Sequence, residues 1–225
     1  KSSFLNNSVE QIKWSQKKDK IYYVFSRELN ETSNWQLNTA DPDGNNWKNI
    51  AEFTNRFIEK YWISSNEDKI LLATFSQNEN QEITYNYYLA NLNNSSLILL
   101  DKIKFMNSAS WSPDDLHIAY VNEEYKMIIA DANFSEISAT NIKISEDDRF
   151  IWKNNQELFL SVLDDKKSSQ YTAYYNFLLY DIEKKKTKII KTKPNELIGN
   201  INQLIVGDSN TIYFVNNNKL YSVTF

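Results

Sequence analysis

Residues 109–121 read Ala109-Ser110-Trp111-Ser112-Pro113-Asp114-Asp115-Leu116-His117-Ile118-Ala119-Tyr120-Val121. A short apolar run ends on Trp111, a polar turn is built on Pro113-Asp114-Asp115, and a second run rich in β-formers follows from His117. Turn-formers between two such runs are the signature of a tight hairpin. The same unit recurs along the chain, and a recurring unit decides the fold before any single element does.

Aligned on the tryptophan, the copies are Ile12–Phe25 with Trp14, Lys60–Phe75 with Trp62, the opening stretch with Trp111, and Phe150–Leu163 with Trp152. In a fifth copy, Gln203–Val215, Ile205 takes the tryptophan position. The spacings are 48, 49, 41 and 53 residues. A period of ~40–50 residues with short strands belongs to propeller blades. Each copy continues through a polar loop into a third strand: Trp35–Ala40, Tyr85–Leu92, Lys126–Ala132, Tyr174–Ile182 and Lys219–Phe225. Asp- and Asn-rich turns follow, or Glu183-Lys184-Lys185-Lys186 in the fourth copy. Fourth strands are expected at Trp47–Phe53, Leu97–Ile103, Ala139–Ile144 and Thr187–Thr192. No stretch carries a 3.6-residue apolar period. The expected fold is all-β: one domain over residues 1–225, a five-bladed β-propeller with four antiparallel strands per blade. The blades fall at about 8–54, 55–104, 105–145, 146–193 and 194–225 plus 2–7. The fifth copy stops on its third strand, so Ser3-Phe4-Leu5 is expected to supply its fourth and close the ring.

At this point the residues resemble a known family. Trp111-Ser112-Pro113-Asp114-Asp115 followed by Ile118-Ala119-Tyr120 looks like the TolB-type, WD-repeat-like propeller motif, with Asp115 standing where that family has Gly. Leu37-Asn38-Thr39-Ala40-Asp41-Pro42-Asp43-Gly44-Asn45-Asn46 is similar to the family's third-strand turn. The resemblance implies a β-propeller that is often extracytoplasmic, often a docking platform, and sometimes the non-catalytic partner of a peptidase domain.

Composition narrows the function. The chain of 225 residues is 14% aromatic and 24% charged, as a folded domain is. Its net charge of −4 argues against a nucleic-acid binder, which needs a basic face. With no Cys, disulfides, thiol catalysis and Cys-ligated zinc are excluded. Only three Gly are present and Asn is abundant, so Asn is expected to take the left-handed turn positions. No apolar run approaches the ~20 residues of a membrane helix, and no signal peptide is present. Beginning at Lys1 rather than Met, the chain reads as a processed product or an excised domain.

Trp14, Trp62, Trp111 and Trp152 hold one repeat position and are read as packing between neighbouring blades. Trp35 and Trp47 fall outside that register and are the better candidates for an exposed contact. His117, the only histidine, alternates with Ile118 and Tyr120 and is read as a half-exposed strand residue rather than a triad member. Asp114-Asp115, Asp147-Asp148 and Asp164-Asp165 sit in turns, where Asp bonds its own backbone. Asp41-Pro42-Asp43-Gly44-Asn45 superficially resembles a calcium loop, with Glu52 at the twelfth position, but a hairpin is the preferred reading. Lys184-Lys185-Lys186 reads as a solvated hairpin tip.

In a four-stranded blade the fourth-to-first and second-to-third loops share one end. Here these are the longer, variable segments: 26–34, 76–84, 164–170, 55–59, 146–149 and 194–200. Binding favours irregular loops on a rigid scaffold, so partner contact is expected there and at the channel mouth. Arg56, Glu59, Tyr61, Arg149 and Tyr171 are the candidates, with the charge and aromatic surface of hot spots. The reading is a non-enzymatic scaffold for a protein or peptide partner, extracytoplasmic, without cofactor or metal and without membrane insertion by this segment. The alternative is a carbohydrate-binding or glycoside-hydrolase-like five-bladed propeller. That reading needs two carboxylates about 5 to 9.5 Å apart in the central cavity, for which Glu10, Glu59, Glu146, Asp147 and Asp148 are available.

Overall fold

The computed structural model describes residues 6–29, 32–145, 149–164, 166–169, 174–190, 197–198, 201–207, 211–216 and 218–224. Among them every regular element is a strand. The chain falls into two compact units, 1–106 and 107–225.

Unit 1 holds two four-stranded antiparallel sheets. The first runs in the order β1 (Asn6–Trp14), β2 (Ile21–Leu29), β3 (Thr32–Ala40), β4 (Lys48–Thr54). The second runs β5 (Phe57–Ile63), β6 (Lys69–Gln77), β7 (Ile83–Asn91), β8 (Ser96–Leu99). Val24 pairs with Leu37 and Tyr22 with Thr39, so alternate residues of these strands share one face. That face meets the second sheet in a core of Tyr22, Val24, Leu37, Phe53, Ile58, Tyr61, Ile70 and Leu72.

Unit 2 holds three sheets. The third is β9 (Ala109–Trp111), β10 (His117–Val121), β11 (Lys126–Asp131) and β12 (Ile137–Lys143). The fourth is β13 (Arg149–Trp152), β14 (Glu157–Leu163), β15 (Tyr174–Asp181) and β16 (Lys186–Ile190), with β17 (Leu197–Ile198) pairing β15. The fifth is β18 (Ile201–Val206), β19 (Thr211–Asn216) and β20 (Lys219–Thr224), three strands among the described residues. One core joins the third and fourth sheets through Val121, Met127, Trp152, Leu158 and Leu160. A second joins the fourth and fifth through Phe159, Phe177, Ile190, Ile201, Ile212 and Phe214.

The five sheets match the five copies read from sequence. The strand expected from Ser3-Phe4-Leu5 lies outside the described residues, and β1 pairs with β2 and no other strand, so no sheet closes on itself among the described residues. Two expected loops are largely strand. β2 and β3 pair out to Leu29 and Thr32, and β6 and β7 out to Gln77 and Ile83, so the described residues of 26–34, and much of 76–84, form β-ribbons. The fourth strand of the second copy ends at Leu99, short of the expected Ile103, where the chain turns with Ile103 N–H donating to Leu100 O at 3.1 Å.

Candidate functional site

The expected pairing of loops at one end is present in unit 1. Asn55 N–H donates to Ser33 O at 2.8 Å, and Ser33 N–H donates back to Asn55 Oδ1 at 2.9 Å, which ties the β4–β5 turn to the β2–β3 ribbon. Arg56 follows, half-buried, and its Nη1 donates to Asn86 Oδ1 on β7. Glu59 is half-buried on β5, its carboxylate 4.0 Å from Lys60 Nζ. In unit 2, Arg149 opens β13 and is half-buried. Tyr171 lies outside the described residues, as do Glu146, Asp147 and Asp148. Glu10 is exposed on β1, where its Oε1 accepts from Ser8 Oγ at 2.8 Å.

Tyr61 corrects its sequence reading. It has no exposed surface, because it stands on the face of β5 that packs against the first sheet. Its hydroxyl donates to Tyr22 O at 2.9 Å and also reaches Gln11 O. Gln11 sits at a bulge in β1 with φ 51°, and its Nε2 donates to Ile58 O at 3.0 Å and Glu59 O at 2.8 Å, beside a matching bulge in β5. Lys13 completes the junction, its ammonium 4.2 Å from the Tyr61 ring centroid and donating to Tyr61 O. Burial pulls the Lys13 ammonium below its usual pKa and pushes the Tyr61 phenol above its own. The cluster is a joint between sheets.

The opposite end, where short turns link first to second and third to fourth strands, is built on a repeated serine. Ser15, Ser64 and Ser112 are all at most 3% exposed. Ser15 Oγ accepts the N–H of Asp19 at 3.1 Å and of Lys20 at 3.2 Å, and donates to Asp19 Oδ1 at 2.9 Å. Ser64 repeats the pattern with Asp68 and Lys69. Ser112 Oγ accepts His117 N–H at 2.9 Å and donates to Asp114 Oδ1 at 2.6 Å. Three residues beyond each serine the backbone is left-handed: Lys18 φ 57°, Glu67 φ 60°, Asp115 φ 58°. These are the positions where the resembled motif has Gly.

Among the described residues, a cleft opens at this end of each unit. In unit 1 a cleft of about 410 Å³ lies between the β3–β4 and β7–β8 turns. In unit 2 a cleft of about 780 Å³ occupies the equivalent place between the third and fourth sheets. Leu116, 61% exposed, and Ile137, 39% exposed, line it. Asp114, Asp131, Glu136 and Glu183 supply four carboxylates against one ammonium, Lys185. Partial burial pushes the Asp114 and Asp131 carboxyls up, but it is outweighed. Asp114 accepts from Ser112 Oγ and Leu116 N–H, and Asp131 from Ser135 Oγ and Glu136 N–H, so both lie below the usual range and are ionised at neutral pH. His117 lines the same cleft, its buried Nδ1 without a hydrogen-bond partner and its ring 6.3 Å from that of Trp152.

The tryptophans divide. Trp111 and Trp152 are buried as expected, and Trp152 Nε1 donates to Ser110 O on the neighbouring sheet at 2.8 Å. Trp62 is half-buried. Trp14 departs from the reading at 58% exposure, because it pairs with Ile21 on the face of the first sheet turned away from the second. Trp35 is half-buried, tilted against Phe57 at 5.0 Å, and so packs rather than projects. Trp47 is 63% exposed. The Asp41 loop is a self-contained hairpin: Asn46 Nδ2 donates to Asp41 Oδ2 at 2.6 Å, and Glu52 on β4 accepts from Asn34 at 2.7 Å.

No family model matches the chain, and no curated protein matches it in sequence. Solved structures do resemble it. The β-propeller domain of the trilobed protease from Pyrococcus furiosus is 13% identical, with a TM-score of 0.63 over 96% of this chain and 82% of that one. Pyrococcus horikoshii acylaminoacyl peptidase is 12% identical with a TM-score of 0.62, and here the match covers 93% of this chain but only 42% of the peptidase. The C-terminal WD40 domain of Sif2 is 14% identical with a TM-score of 0.59, covering 94% of this chain and 56% of that one. At these identities the likeness speaks for fold alone, and the fold is that of the β-propellers.

Proposed function

We propose that the chain is a non-enzymatic propeller domain that binds a protein or peptide partner, and that the unit 2 cleft receives a segment carrying both basic and apolar side chains. The observation behind this is the pairing of exposed Leu116 and Ile137 with four carboxylates in one open cleft. Exposed apolar side chains beside unbalanced charge favour a partner of opposite charge with its own apolar anchors. Arg56 and Glu59 in unit 1 and Arg149 in unit 2 are retained as secondary contacts at the long-loop end. The extracytoplasmic placement, the TolB-type kinship and the ring closed by Ser3-Phe4-Leu5 belong to the same proposal.

The test is fluorescence anisotropy of a labelled peptide of alternating Lys and Leu, with a Glu/Leu peptide as control. Binding of the first alone is expected, weakened by salt and by Leu116→Ser or Glu136→Gln. Equal binding of both peptides, or indifference to these substitutions, rejects the reading.

A further inference from the structure

The second sheet ends on an uncharged, apolar edge. β8 reads Ser96-Leu97-Ile98-Leu99, and among the described residues it pairs with β7 alone. Leu97, Ile98 and Leu99 are all exposed, Ile98 by 54%. The other fourth strands among the described residues carry charge: Lys48 and Glu52 on β4, Lys143 on β12, Lys186 and Lys188 on β16. Charges of this kind, lysine above all, keep an open edge from pairing with another chain. β8 has none.

The hydrogen-bond alternation shows which backbone groups are open. Leu100 N–H donates to Tyr87 O at 2.8 Å, on the ladder that pairs Leu99 with Tyr88, Ile98 with Leu89 and Leu97 with Ala90. Bonded and non-bonded pairs alternate along an antiparallel ladder. Leu100 and Ile98 therefore bond towards β7, and the N–H and C=O of Leu97 and Leu99 point off the edge. The side chains of Leu97 and Leu99 share one face of the sheet and Ile98 takes the other.

Register selects the occupant. An antiparallel strand meets these groups when its own outward-bonding residues stand opposite Leu97 and Leu99. A second copy of β8 does so about a two-fold axis at Ile98. Leu97 then faces Leu99 of the second copy, Ile98 faces its own equivalent, and four cross-copy hydrogen bonds form. Beyond the strand, Asp101 and Lys102 of one copy run towards Ser95 and Asn94 of the other, so no like charges oppose. A slip of two residues either way sets a leucine against Ser95 or Asp101. The edge is complementary to itself in a single register.

We infer that β8 is a self-association edge, through which two copies of the chain pair antiparallel across Leu97–Leu99 and join their second sheets. The contact is isologous and uses up both edges, so it closes at a dimer. The inference goes beyond the partner-binding reading. β8 belongs to unit 1 and the peptide cleft to unit 2, so either can fail alone.

Sedimentation equilibrium on the whole chain up to millimolar concentration, with amide hydrogen exchange at both ends of the range, decides it. A monomer–dimer equilibrium with a Kd of about 100 µM is expected, as suits an interface below ~1,200 Å². By mass action the Leu97 and Leu99 amides are then expected to exchange about fivefold more slowly at about 1 mM than in dilute solution. Ile98→Lys, at an exposed position, sets two ammonium groups against each other across the two-fold. It is expected to weaken the dimer by at least about tenfold with the melting temperature unchanged. The exchange measurement uses the parent chain and stands even should that variant fail to fold. A chain that stays monomeric throughout, which leaves the edge to a strand of another protein, overturns the inference. So does association that leaves the Leu97 and Leu99 amides unprotected, or a folded Ile98→Lys variant that dimerises as well as the parent.

Discussion

The Tyr61 hydroxyl donates to the backbone carbonyl of Tyr22 at 2.9 Å, across the junction of the first and second sheets, from a side chain with no exposed surface. A phenol in that place fixes how the sheets meet. Tyr61→Phe keeps the ring and removes the one hydroxyl donor shared by the Tyr22 and Gln11 carbonyls. A loss of about 1–2 kcal/mol is expected in urea unfolding, with peptide affinity unchanged. A drop in peptide affinity without a drop in stability would restore Tyr61 to the contact surface.

The left-handed turn positions give a pair of opposed outcomes. Lys18 is exposed with φ 57°. Lys18→Gly relieves the strain of a Cβ in that region and is expected to stabilise by roughly 0.5–1 kcal/mol, net of the entropy glycine loses on folding. Glu67 has the same backbone geometry, but its carboxylate accepts Gln16 N–H and the Tyr22 hydroxyl. Glu67→Gly is therefore expected to destabilise, the charge-assisted bonds outweighing the relief. Thermal melts of the two variants check the difference in sign.

Ser112 anchors the turn that carries Asp114. Ser112→Ala leaves His117 N–H without its side-chain acceptor and Asp114 without its closest donor. A cost of about 1–3 kcal/mol is expected, together with faster amide exchange at His117. A variant as stable as the parent would mean that the hydroxyl is dispensable.

Acid weakens this fold through its turns. Asp131 is partly buried, which pushes its pKa up, but bonds from Glu136 N–H and Ser135 Oγ outweigh this and hold it below the usual value. The native state therefore binds that proton less readily than the unfolded chain. The stability it contributes is complete above the unfolded carboxyl pKa of about 4 and is lost as pH falls through the lower native value. Melting temperature is expected to fall below about pH 4, and Asp131→Asn to make that acid limb shallower. An unchanged limb in the variant would remove Asp131 from the account.

The repeats were legible because four tryptophans and the β-formers after them recur in register, and Trp111 and Trp152 are buried where that pattern puts them. Trp14 shares the position but not the environment, since burial at a repeat position depends on a neighbouring sheet and not on the residue itself. The ribbons at 26–34 and 76–84 read as loops because strands solvated on both faces carry no apolar alternation. Tyr61 read as surface because a buried phenol differs from an exposed one only by its partner, here a carbonyl 39 positions away in the chain. Ser15 and Ser112 directly follow a tryptophan and Ser64 stands two residues beyond Trp62, yet a serine in a turn is common, and only the shared bonds of Ser15, Ser64 and Ser112 mark them as anchors. Sequence placed function at the long-loop end. The clefts open at the other end, where the turns are short and the bounding side chains are far apart in sequence.

The central claim rests on the unit 2 cleft, and the chain carries its own probe there. His117 is the only histidine and lines that cleft. Titrating the Lys/Leu peptide while following the single imidazole resonance by proton NMR reads occupancy at that place directly. The account predicts a saturable shift of that resonance with the midpoint found by anisotropy, absent with the Glu/Leu peptide. A peptide that binds without moving the His117 resonance, or that does not bind at all, contradicts it.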